Sequence, residues 1–218
     1  MKKLFSVIMA CTLLLSLTAC KNNENFNKDK DLSAETDISS KESVQAGDTE
    51  PAEPGESTNK ELVVYFSATG NTESVAEVLA QMQEADLYKI TPEQPYTDDD
   101  LNYGDETTRA TVEQNDKNAR PAISGGIDNI EKYDVIYLGT PIWWGDMPRI
   151  LYTFFDTYDL SGKTIAPFCT SGGSGVAEIV ETIEGLEPSA TITEGLRTSA
   201  SNAEGDITQW LRNISLAE

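Results

Sequence analysis

The chain has 218 residues, with 37 Asp and Glu against 16 Lys and Arg, a formal net charge of −21, and no histidine. The missing histidine excludes Ser-His-Asp catalysis and His-bound zinc. A field this negative repels nucleic acid and anionic lipid surfaces, so it suits cationic partners or simply keeps the protein soluble.

Residues 1–20 read as a targeting segment. Lys2 and Lys3 form a charged start, and Leu4 to Ala19 are almost all apolar or small. That run is short of the about 20 apolar residues a membrane-spanning helix needs. It ends in Leu17-Thr18-Ala19-Cys20, which resembles the lipobox of bacterial lipoproteins. The resemblance implies cleavage before Cys20, lipidation of Cys20, and retention at the extracytoplasmic face of a bacterial cell membrane. Removal of Lys2 and Lys3 takes the net charge to −23, so membrane contact is expected through the lipid anchor alone. Cys11 leaves with the signal, which leaves Cys169 without a disulfide partner. It ends an apolar run and is expected to be a buried, inert thiol.

Residues 21–60 are rich in Asn, Lys, Asp, Glu, Ser, Thr, Gly and Pro, with Phe26, Leu32, Ile38 and Val44 too sparse to build a core. This composition predicts a disordered tether. Residues 61–218 are globular in composition and make one domain of ordinary size.

Within that domain the apolar, β-branched run Leu62 to Phe66 predicts a buried strand. Val75, Ala76, Val78, Leu79 and Met82 then recur at helical spacing. Further strands are predicted at 85–90, 133–139, 164–169 and 190–193, and helices at about 147–157, 175–184 and 203–214. The long stretch 93–132 is expected to hold a charged helix from about Asp98 to Asn118, with Asp98-Asp99-Asp100 as its acidic start rather than a calcium site. Strands alternating with helices predict an α/β fold with a parallel sheet covered on both faces.

Three loops stand out, each between a strand end and a helix start. Ser67-Ala68-Thr69-Gly70-Asn71-Thr72 carries hydroxyl donors, a glycine and possible helix caps, but no Lys or Arg. Such a cluster is either an ordinary turn or an anion site made by neutral donors and a helix dipole. Pro141-Ile142-Trp143-Trp144-Gly145 places two tryptophans side by side. They belong to the core, or they offer flat faces to a planar ring. Thr170-Ser171-Gly172-Gly173 opens the third loop. Gly162-Lys163-Thr164 imitates the end of a Walker A motif, but Thr157 stands where its first glycine belongs and a strand follows.

Val63 to Thr72 (VVYFSATGNT) resembles the phosphate-binding loop of flavodoxins, and the likeness extends over most of residues 61–218. It implies a flavodoxin-like, doubly wound, five-stranded parallel sheet of order 2-1-3-4-5, with the ligand at the crevice beside strands one and three. It also implies bound FMN. The 5′-phosphate would lie on Ser67, Ala68, Thr69, Gly70, Asn71 and Thr72. The ring would lie along Pro141, Ile142, Trp143, Trp144 and Gly145, and Thr170, Ser171, Gly172 and Gly173 would close its far side. The third loop lacks the ring-stacking Tyr of many electron-carrier flavodoxins.

The expected function is electron transfer outside the cytoplasm by a membrane-anchored FMN protein, with no catalytic side chain and no metal. Its partner would be a redox protein or a quinone. An NAD(P)H-dependent quinone or flavin reductase and a non-catalytic flavin-binding lipoprotein are the alternatives. The acidic field and apolar burial disfavour added negative charge on the flavin, so a midpoint potential below that of free FMN is expected.

Overall fold

The structure is a computed structural model and describes residues 60–216. The predicted signal segment with Cys20, and the tether as far as residue 59, lie outside the described residues. Five parallel strands form the centre: β1 (Glu61–Tyr65), β2 (Asp86–Lys89), β5 (Val135–Pro141), β6 (Thr164–Thr170) and β7 (Thr191–Ile192), in the order β2-β1-β5-β6-β7. A short antiparallel pair, β3 (Thr91–Pro92) with β4 (Ile123–Ser124), interrupts the count. With that pair set aside, the order is the doubly wound 2-1-3-4-5.

The three inner strands, β1, β5 and β6, are buried on both faces, which is why their sequences are nearly continuous apolar runs, whereas β2 and β7 at the edges are partly exposed. Successive residues point to opposite sides. Leu62, Val64, Ile136, Leu138 and Ile165 join the cluster that holds Ile150, Leu151 and Phe154 of α3 (Arg149–Thr157) and Ile179 and Ile183 of α4 (Ala177–Leu186). Val63, Tyr65, Tyr137, Ala166 and Phe168 join the other cluster. It contains Val75, Ala76 and Leu79 of α1 (Asn71–Met82), and Ile207, Trp210 and Leu211 of α5 (Ala203–Asn213). Gly139 is a glycine by necessity beside its cross-strand partner Phe168, whose ring covers it: a Cβ there would come 2.3 Å from Phe168 Cζ.

The predicted fifth strand at 190–193 is only half of what occupies that edge. A second piece, β8 (Leu196–Thr198), also pairs with β6, in a register shifted by one residue from that of β7. Ala166 and Pro167 therefore face Thr193, Glu194 and Gly195, a bulge. Thr193 donates its N–H to the Ile165 carbonyl, so alternate β6 residues from Ile165 turn their backbone groups toward this edge. Pro167, which has no N–H, falls on that side where the ladder is already broken. Gly195 lets the bulge close on α4, since a Cβ would come 2.8 Å from Val176 Cγ2.

The charged helix expected over about 98–118 is also shorter than predicted. Only α2 (Arg109–Asn115) is helical, and residues 97–108 form consecutive turns. Short polar side chains capture nearby backbone groups there. Asp100 accepts the Thr97 N–H at 2.9 Å, Asn102 the Gly104 N–H at 3.1 Å, and Asp105 the Thr107 N–H at 2.8 Å. Such local bonds compete with the helical ladder and here prevail. Among the described residues no helix is long and apolar enough to cross a membrane.

Candidate functional site

Because β1, β5, β6 and β8 run parallel, their C-terminal ends share one edge of the sheet, and the loops that follow them converge there. They enclose a cleft of about 440 Å³. Of the residues expected to bind ligand, Ser67, Ala68, Thr69, Asn71, Thr72, Pro141, Ile142, Trp143, Thr170, Ser171 and Gly172 line it. Gly70, Trp144, Gly145 and Gly173 do not. Every lining residue is uncharged.

The first loop is built almost entirely from its own residues. Gly70 takes a left-handed conformation (φ 85°) and donates its N–H to Ser67 Oγ at 3.1 Å, which folds the chain back into α1. Asn71 donates its side-chain N–H to Thr69 Oγ1, and Ser74 its hydroxyl to the Gly70 carbonyl, both at 3.1 Å. The first N–H groups of α1 have no helical carbonyl before them, so they and the helix dipole present positive potential to the cleft. One long-range bond joins this loop to the third, the 2.8 Å contact between the buried hydroxyls of Thr72 and Thr170.

The second loop separates the two tryptophans. Trp143 and Asp146 exchange backbone hydrogen bonds, N–H to carbonyl, at 2.8 and 3.1 Å. The residues between them both have positive φ, 48° for Trp144 and 89° for Gly145. That is the pattern of a type I′ turn, in which Asn and Gly are usual and a bulky side chain is strained by about 1–2 kcal/mol. Trp143 is 3% exposed and packs edge-on against Phe66 (5.7 Å between centroids) and Tyr96 (5.2 Å). Trp144 is turned outward and is 45% exposed. So the choice between core and ligand face resolves differently for the two: Trp143 is core with one edge on the cleft, and Trp144 is a surface residue.

Asp146 fastens this turn to α3. It accepts hydrogen bonds from the Met147 N–H at 2.7 Å and the Tyr152 hydroxyl at 2.5 Å, and lies 3.9 Å from Arg149. Burial, and next the Asp146 carboxylate, push the Tyr152 phenol up to about 12, so it stays a donor. Arg149 is buried, stacks over the Tyr152 ring, and donates to the Gln114 carbonyl at 3.1 Å. Gln114 in turn donates its side-chain N–H to the Met147 carbonyl at 3.2 Å. This network ties α2 to the start of α3.

The third loop is braced from β8. Arg197 donates to Ser171 Oγ at 3.1 Å and to the Ser171 carbonyl at 3.3 Å, and Ser171 donates its hydroxyl to the Ser174 carbonyl at 2.5 Å. Beneath it Cys169 is fully buried, and burial raises its thiol to about 12 against a smaller opposing effect of Arg197.

Four further residues line the cleft that the loop-by-loop reading left out: Tyr103, Thr198, Ser199 and Ala200. Thr198 ends β8, and Ser199 and Ala200 open a fourth loop after it. The small, hydroxylated run Thr198-Ser199-Ala200-Ser201 was its signal, hidden because the strand before it was not recognised. Tyr103 comes from the turns ahead of α2, and nothing in its surrounding sequence marks it.

A doubly wound sheet with a neutral, hydroxyl-lined cleft at its switch point defines a ligand-binding α/β protein of the kind that holds phosphorylated compounds on a helix N-terminus. The family model described as Flavodoxin matches residues 60–214, and the chain belongs to that family. A proposed flavoprotein from Bacteroides eggerthii is 43% identical, with a TM-score of 0.66, over 72% of this chain and 98% of that one. Another from Bacteroides uniformis is 36% identical with a TM-score of 0.65, over 69% and 98%. A flavoprotein from Lactobacillus acidophilus, solved in complex with FMN, is 21% identical with a TM-score of 0.54, over 70% and 98%. At that identity the likeness is one of fold. No curated protein sequence matches the chain.

Proposed function

We propose that this flavodoxin binds FMN in the cleft and serves as an electron carrier, anchored through Cys20 to the outer face of a bacterial membrane. The observation that carries the reading is the meeting of the loops after β1, β5 and β6 around one uncharged, hydroxyl-lined cleft. Its volume lies in the range of cofactor sites, roughly 300–1,000 Å³. Further support comes from the family match and from the FMN held by a protein of the same fold.

The donor set fits a phosphorylated flavin. Ser67, Thr69 and Thr72 would donate hydroxyls to the phosphate, and the free N–H groups at the start of α1 would offset its charge in place of a basic side chain. Pro141, Ile142 and the edge of Trp143 supply an apolar wall for the ring, while Thr170, Ser171 and Gly172 stand opposite with polar backbone. Bound flavin supplies reversible uptake of one or two electrons. The chain's part is to bind it, orient it and keep water from its buried side. Cys169 takes no share, because its thiol stays protonated beneath the third loop. Residues 21–60 would let the domain reach partners above the membrane.

Protein lacking residues 1–20, mixed with FMN and freed of excess, should retain flavin absorbance and quench flavin fluorescence. A colourless product with unquenched FMN overturns the reading. Membrane anchoring is read separately: metabolic labelling with a radioactive fatty acid should mark the full-length chain and not Cys20→Ala.

A further inference from the structure

A glutamate at the third position of a helix often turns back to bond the N-cap amide and so closes the helix end on itself. Glu73 holds that position in α1, counted from the N-cap Gly70, but its carboxylate is directed elsewhere. The Gly70 N–H is taken by Ser67 Oγ. Glu73 is drawn toward the sheet, where its Oε1 accepts the Tyr65 hydroxyl at 2.9 Å and the Lys89 ammonium at 2.8 Å. Tyr65 and Lys89 are register partners at the C-terminal ends of β1 and β2, so the sheet fixes both donors together. The Lys89 ammonium holds the Glu73 carboxyl below the usual carboxylate range, against burial and with a smaller contribution from the Tyr65 hydroxyl. Glu73 is therefore a full negative charge within one helical turn, about 5 Å, of the start of α1. Left uncompensated at that range, it would repel an anion bound there.

We propose that the cluster of Tyr65, Glu73 and Lys89 sets the preference of the cleft for a phosphorylated ligand. Lys89 cancels the charge of Glu73 and, with Tyr65, holds its carboxylate away from the helix end. The first amides of α1 are thus left to the phosphate. The proposal rests on the flavin reading above and adds to it a positioning residue, Lys89, which acts on the ligand only through Glu73. The two side chains of this ion pair are 43% and 30% exposed, and a pair so open to water adds little to stability. Its weight falls on the charge of the ligand. A loop with no Lys or Arg of its own is in this way relieved of the one acidic side chain in the first turn of its helix.

The test compares FMN with riboflavin, which lacks only the phosphate, by fluorescence quenching with the chain without residues 1–20. At low salt, about 20 mM, where screening is weak, Lys89→Gln should weaken FMN binding about three- to tenfold and leave riboflavin within about twofold. The loss for FMN should shrink in about 0.5 M salt. Adding Glu73→Gln to Lys89→Gln removes the charge that Lys89 had cancelled, and should return FMN affinity to within about twofold of wild type. Unchanged FMN affinity in Lys89→Gln, an equal loss for both flavins, or no rescue by Glu73→Gln overturns the proposal and leaves the flavin reading intact. Absence of FMN binding by wild type overturns both.

Discussion

The loop after β1 and the loop after β5 reach the same cleft by different construction. In the first, Ser67, Thr69, Gly70, Asn71 and Ser74 bond to one another within four residues, and only Thr72 reaches across to Thr170. In the second, the turn from Trp143 to Asp146 depends on Phe66, Tyr96, Tyr103, Tyr152 and Arg149. Its two tryptophans, adjacent in sequence, stand on opposite sides of the boundary between core and solvent. A locally closed loop can be altered with small cost to the fold. A loop held by distant residues cannot, except at the position it pushes outward.

Substitutions at the second loop should bracket that contrast. Trp143→Ala empties a buried, edge-packed site and should cost about 3–5 kcal/mol in urea unfolding. Asp146→Ala removes the acceptor of the Tyr152 hydroxyl and leaves the buried Arg149 without its carboxylate, for a loss of about 3 kcal/mol. Thr72→Val leaves the buried Thr170 hydroxyl without a partner and should cost about 1–2 kcal/mol, with weaker FMN binding. Trp144→Gly should stay within about 1 kcal/mol of wild type, since relief of the left-handed strain offsets the lost contact with Tyr103. If Trp144→Gly were as destabilising as Trp143→Ala, the division of labour between the two rings would be wrong.

Cys169 offers a probe of the ground beneath the third loop, and its effect is kinetic. In protein lacking residues 1–20 it is the sole cysteine. Its proton is held more tightly in the folded state, where the thiol sits near 12, than in the unfolded chain, near 9. This contribution to stability is therefore complete below pH 9 and is lost as pH rises from 9 toward 12. At neutral pH, iodoacetamide should modify the folded protein far more slowly than the urea-unfolded chain. Equal rates would show that the thiol is not buried.

The same contrast explains how much could be read in advance. Strand and helix types were visible wherever apolar residues repeat with a clear period, as in Leu62 to Phe66 and Val75 to Leu79. The hydroxyl loop was visible because its residues are contiguous. The aromatic contact of Tyr103 was not, because it joins residues 41 positions apart through turns that replace an expected helix. The fourth loop escaped for a third reason. A bulge splits the last strand into pieces of two and three residues, too short for a period of two to register.

That split edge has a consequence for how copies of the protein meet. An uninterrupted outer strand exposes a row of free amide and carbonyl groups onto which a second copy could add its own strand. Here the row beside β6 changes register midway, and Trp210 of α5 captures the Glu194 carbonyl at 2.8 Å. A neighbour could match one half of the edge but not both. Molecules crowded side by side would thus find no continuous template for growing a shared sheet at this border.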